Sequence, residues 1–177
     1  MQHDKPPAAD GAAPEPAAPK PAGAVNAPLD LEAFAAAMPS GKRLIGVDVG
    51  TKTLGLALSD VGRSIASGLE TIRRKKFTPD AAYLLALAER HGVGGLVIGL
   101  PLNLDGTTGP RAQATRAFAR NLAQLTPLPM LLWDERLTTA EAERLLIESD
   151  ASRRRRAEVI DKMAATLILQ TALDRLR

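Results

Sequence analysis

The sequence predicts an α/β domain on a mixed central sheet, three antiparallel strands followed by two parallel ones, with helices on both faces. Three observations lead there. From Leu44 to Ile72, three strand-like stretches are joined by turns too short to allow anything but antiparallel neighbours. Beyond Pro79, apolar runs without alternation, as in strands covered on both faces, alternate with segments of helical spacing. And 177 residues, 45% of them hydrophobic, suffice for one substantial core.

Residues 1 to 28 hold seven of the thirteen prolines and almost no large apolar side chain. Such a segment buries too little surface to offset the entropy of ordering it, so residues 1–40 are expected to form a disordered Ala/Pro-rich extension. Near its end, Asp30 to Met38 has the pattern of a short helix, with Asp30 or Asn26 near its start and Pro39 to Gly41 ending it. The domain proper is expected over 41–177. Leu44 to Val49 reads as its first strand and Gly50-Thr-Lys as a turn. Leu54 to Ser59 is the second strand and Ser64 to Ile72 the third, with Val61-Gly-Arg63 between them. Pro79 to His91 has helical spacing and stops at Gly92. Gly95 to Leu100 is a buried strand, Pro110 to Leu125 a helix, and Pro129 to Asp134 the last strand. Thr138 to Glu148 is a further predicted helix, with Thr138 and Glu141 at capping-box spacing. The basic run Arg153 to Arg156 then precedes a final helix ending near Leu176.

Composition narrows the chemistry. There are no cysteines and only two histidines, His3 and His91, so a metal here would be held by carboxylates, favouring Mg2+ or Mn2+ over zinc. No apolar run approaches the roughly 18 to 20 residues of a membrane span, and no apolar stretch follows a basic start as in a secretory signal. Residues 1–40 carry two basic and five acidic side chains, a net −3, which leaves +6 on the remainder. A basic globular part is the footprint of a protein that meets a polyanion.

Five places could carry chemistry. Asp48 lies near the carboxyl end of the first strand, where an ionised group needs a partner. It reads equally as a cap for the turn holding Thr51 and Thr53, or as a metal ligand beside glycines that admit a phosphate. Asp134-Glu135 ends another strand, and ligands of open α/β sheets gather at such ends; a plainer role is pairing with Arg136 and capping the Thr138 helix. Asp161 shares a helix face with Ala164, Ala165 and Ile168. Taken alone, it is better read as an acid in the first turn of the last helix, favoured by the macrodipole. The loop Gly99 to Pro110 is dense in turn residues, and with Arg111 at the next helix start it would seat a phosphate, or it merely satisfies its own backbone. Arg153 to Arg156 is a solvated run or a guide for a phosphodiester backbone.

Four stretches together resemble the YqgF/RuvX family, RNase H-like proteins associated with Holliday-junction resolution and with maturation of pre-16S rRNA. They are Gly46 to Asp60, Val97 to Gly106, Asp134 to Thr139 and Ile160 to Gln170, in the family's order and spacing, within roughly Lys42 to Arg177. The resemblance implies an RNase H-like fold in which Asp48, Glu135 and Asp161 are catalytic and hold the metal. It also implies a cytoplasmic setting and a nucleic-acid substrate, pre-rRNA ahead of a DNA four-way junction. Lys52, Asn103, Arg111, Arg136 and Arg154 are the candidates for holding the backbone, Arg111 foremost. Thr108 stands where the family often has an acid, so no catalytic role is carried to it, and nothing transfers to the extension.

The function expected is hydrolysis of phosphodiester bonds, with processing of the 5′ end of pre-16S rRNA ahead of junction resolution, by a monomer or homodimer. Two rivals belong to other classes. Asp-x-Gly-Thr at 48–51 also resembles the phosphate hairpin of actin-like and sugar-kinase folds, but those need a second domain and a second hairpin, which about 135 residues do not supply. The other is a non-catalytic RNA-binding assembly factor, against which three intact acidic segments speak.

Overall fold

A computed structural model describes residues 27–138 and 153–177, the latter with side chains from Ile160 onward. The chain runs α1 (Leu31–Ala37), β1 (Arg43–Val49), β2 (Thr53–Ser59), β3 (Ala66–Arg73), α2 (Phe77–Arg90), β4 (Val93–Leu100), α3 (Pro110–Ala123) and β5 (Met130–Asp134), then a short 3-10 turn (Glu135–Leu137) and α4 (Arg153–Arg175). The five strands form one sheet in the order β3-β2-β1-β4-β5. β1 pairs antiparallel with β2, and β2 with β3, whereas β1, β4 and β5 run parallel. This is the mixed arrangement expected, three antiparallel strands and then two parallel.

Each face of the sheet carries its own apolar layer. On one, Ile45, Val47, Leu54, Leu56 and Ile98 meet Leu84 and Leu87 of α2 and Phe118 and Leu122 of α3. On the other, Leu44, Val97, Leu131 and Trp133 meet Phe34 of α1 and Ile168, Leu169 and Leu173 of α4. Strands covered on both faces cannot alternate, so β4 (Val-Gly-Gly-Leu-Val-Ile-Gly-Leu) is buried at all eight positions. β3, at the sheet edge, is mostly half-buried or exposed. The opposite edge is shielded where Leu29 forms a parallel bridge to Leu131, its amide donating to the Met130 carbonyl at 2.8 Å.

The short helix expected near the end of the extension is α1, capped by the Asp30 carboxylate accepting from the Ala33 amide at 2.8 Å. Its Phe34 is fully buried, so the packed unit reaches back to Leu29. The final helix differs from expectation at its start. The arginine run lies inside α4, which begins at Arg153, and Asp161 is therefore two turns in rather than in the first turn. Arginine is a good helix former, so like charges alone do not break a helix. At that depth the macrodipole no longer accounts for an acid, since its effect fades within the first turn. The rest of residues 1–40, residues 1–26, and the helix expected from Thr138 to Glu148, beyond Thr138 itself, lie outside the described residues. Thr138 is in extended backbone and ends the 3-10 turn.

Candidate active site

The parallel arrangement puts the carboxyl ends of β1, β4 and β5 side by side, and Asp48 and Glu135 emerge there. Asp48 stands opposite Gly55 of β2, and Gly55 opposite Thr71 of β3. α4 crosses this row at contact distance. A Cβ on Gly55 would collide with the Asp161 carbonyl and lie 3.1 Å from the Asp161 Cβ. The missing side chain at Gly55 is what lets Asp161 settle beside Asp48. The Thr53 hydroxyl then donates to Asp161 Oδ2 at 2.7 Å and orients it. Thr53 itself is tied down by the tight turn, its carbonyl accepting from the Gly50 amide at 2.9 Å.

Glu135 arrives from the other side, in the 3-10 turn after β5. Its Oε1 lies over Gly99 of β4, where a Cβ would come within 2.7 Å of it. That oxygen is buried and has no hydrogen-bond partner. Burial pushes the Glu135 carboxyl up to about 7, helped by the charge of Asp48 and, less, of Asp134, while Arg111 pulls it down. Asp48 is raised as well, first by burial, then by Asp161, and again Arg111 opposes. Asp48 thus stands electrostatically between the other two acids.

Asp134, the neighbour of Glu135, behaves oppositely. It accepts from the Arg136 amide at 3.0 Å and pairs with the Arg136 guanidinium at 2.6 Å, which holds its carboxyl below the usual range. Of the two acids, only Asp134 takes the plainer role of an Arg136 partner and turn cap.

Asp48 and Asp161 line an open cleft of about 820 Å³ together with Gly50, Thr51, Lys52, Thr53, Thr71, Arg73, Arg74 and Arg111. Lys52 and Arg111, expected as backbone contacts, line it; Asn103 and Arg136 do not. Asn103 Nδ2 donates to Thr107 Oγ1 at 2.8 Å, and Arg136 is held by Asp134. The Arg154 side chain lies outside the described residues.

Sequence reasoning missed Arg73, Arg74 and the role of Thr53. Arg73 reaches the cleft because its strand pairs it with Thr53. Arg74 donates to the Gly50 carbonyl at 2.7 Å and lies 5.9 Å from the Phe118 ring centre, bracing the turn beside Asp48. A basic pair at a strand end was visible, but its partners lie twenty or more residues away.

Among the described residues, no three carboxylate or imidazole side chains form a ready-made coordination shell. The donors nevertheless suit a hard divalent cation. All are carboxylate oxygens, two of the acids are disfavoured as anions, and Glu135 Oε1 is buried without a partner. A cation there would relieve both the repulsion and the orphaned oxygen.

The RuvX family, described as Holliday junction resolvase, matches residues 42–175. A Paracoccus denitrificans protein provisionally named pre-16S rRNA nuclease is 60% identical over 148 residues, 84% of this chain and 94% of that one. A Rhodopseudomonas palustris protein of the same name is 62% identical over 148 residues, 84% of this chain and 91% of the other. Among solved structures, Thermus thermophilus RuvC matches with a TM-score of 0.48 and 12% identity, covering 71% of this chain and 92% of that one.

Proposed function

The chain belongs to the RuvX family, and from that premise we propose that it is a divalent-metal-dependent nuclease hydrolysing phosphodiester bonds at the 5′ end of pre-16S rRNA. The observation that carries the reading is Glu135 Oε1, buried and unpartnered, in an acidic group with Asp48 and Asp161 that opens on a cation-lined cleft. The choice of pre-rRNA rests on the names of relatives about 60% identical over most of their length.

Asp48, Glu135 and Asp161 would hold one or two Mg2+ or Mn2+ ions. Such ions would supply Lewis-acid polarisation of the phosphodiester and would lower the pKa of an attacking water. The protein's own groups do the rest. Arg111, in the first turn of α3, and Lys52, on the β1–β2 turn, neutralise and orient the phosphate. Thr53 keeps Asp161 aimed, and Arg74 keeps the Gly50 turn in place. No side chain need form a covalent intermediate. Among the described residues no helix is long and apolar enough to cross a membrane. The cytoplasmic site of action we assign rests on the family resemblance.

A second reading, resolution of a DNA four-way junction, is favoured by the description of the matching family. Incubating the protein with a precursor rRNA and a four-way junction side by side, with and without Mg2+ or Mn2+, separates the two. Ion-dependent cutting of the precursor, lost in Asp48→Asn with the fold retained, is expected. Cutting of the junction alone selects the second reading. Binding without cutting, equal in wild type and Asp48→Asn, returns a non-catalytic RNA-binding protein.

A further inference from the structure

The loop from Pro101 to Gly109 joins β4 to α3, and both its stems enter the acidic site. Gly99, just before it, touches Glu135; Arg111, just after it, lines the cleft. At its tip Leu104 is 96% exposed, the most exposed large apolar side chain among the described residues. Exposed leucines are common on loose loops, but this loop is tightly held. The Asn103 amide donates to the Thr107 carbonyl at 3.0 Å, and Asn103 Nδ2 to Thr107 Oγ1 at 2.8 Å. Asp105 Oδ1 accepts from the Thr107 amide at 2.9 Å and from its hydroxyl at 2.6 Å. The Gly106 amide closes a turn onto the Asn103 carbonyl at 2.8 Å, with Gly106 at φ +85°. Both chain neighbours of Leu104, Asn103 and Asp105, are bonded within the loop, and Arg136 braces it through the Leu104 carbonyl at 3.5 Å.

The Leu104 side chain adds nothing to that network and buries nothing, yet the network holds the backbone that carries it. An apolar side chain held out on a preorganised support, beside a site that takes a polyanion, has the properties of a wedge. Proteins that bend or open nucleic acid insert such side chains between stacked bases, and prior ordering of the loop removes most of the entropic cost. We propose that Leu104 enters a base step next to the scissile phosphate and unstacks it, so that the backbone can reach the acidic site. The proposal rests on the nuclease reading above for its substrate, but its test does not depend on cleavage.

The protein is mixed with a precursor-rRNA hairpin carrying 2-aminopurine at each stem step in turn, whose fluorescence rises on unstacking. Asp48→Asn protein, able to bind without cutting, is expected to brighten one step; Asp48→Asn/Leu104→Ala binds without brightening, and Asp48→Asn/Leu104→Phe restores the signal. With Asp48 intact, Leu104→Ala should cut the stacked hairpin on the order of tenfold more slowly, yet cut a hairpin with an abasic nucleotide at that step at the wild-type rate. Brightening independent of Leu104, no brightening at all, or equal slowing on both hairpins overturns the wedge. Leu104-dependent brightening in a protein that cuts neither hairpin keeps the wedge and overturns the nuclease instead.

Discussion

The exposed acids and the buried ones obey opposite rules. Asp105 is satisfied by Thr107, and Asp134 by Arg136, so both carboxyls sit below their usual range. A single residue beyond Asp134, Glu135 is raised to about 7 and one of its oxygens has no partner. Asp134 and Glu135 are adjacent in the chain and nearly alike in chemistry. What separates them is direction. One side chain turns out to a guanidinium, and the other turns in over Gly99 toward Asp48. Matched surface acids form a scaffold, whereas crowded, buried like charges are the usual mark of a working site.

The contrast is broken most severely at Asp48, which feels both other acids. Asp48→Asn should lower cleavage on the order of a thousandfold or more, while the melting temperature holds or rises because a repulsion has been removed. An active Asp48→Asn protein would mean that the crowding has no catalytic purpose. Gly55→Ala acts through geometry alone. Its methyl would strike the Asp161 backbone, which cannot swing aside as a side chain could. We expect a loss of about 1–3 kcal/mol in denaturant unfolding, together with weaker activity as Asp161 is displaced.

A milder effect is read by pH. The folded state binds the Glu135 proton more tightly than the unfolded chain, whose carboxyl titrates near 4.5. Its penalty is therefore absent below about that pH, grows until about pH 7, and is constant above. Melting temperatures of metal-free protein should fall from pH 5 to pH 7.5, and Glu135→Gln should flatten the fall. Added Mg2+ should stabilise wild type more at the upper pH. A fall that is unchanged in Glu135→Gln would assign it elsewhere. The smallest effect belongs to the exposed Asp134–Arg136 pair. Arg136→Ala should barely move the melting temperature, since surface pairs contribute little, but it should quicken amide exchange across 103–107.

How far the site can be read from the chain varies residue by residue. Asp48 stood out because a charge inside an apolar strand needs a reason. Glu135 was indistinguishable from Asp134 by composition, and only the family resemblance chose between them. Asp161 was better read, alone, as an acid at a helix start, because the arginine run was placed before the last helix and not inside it. Arg73, Arg74 and the Thr53 hydroxyl were missed, since nothing local marks a side chain whose partner lies on another element.

By itself, the sequence determined the strand order along the chain and the antiparallel and parallel halves of the sheet. These follow from turn length and from apolar runs without alternation, both of them local. The tertiary structure alone decided which acids meet, because that depends on close approach between distant segments. Gly55 admits α4, Gly99 admits Glu135, and a glycine shows where a side chain is missing without saying what will take its place.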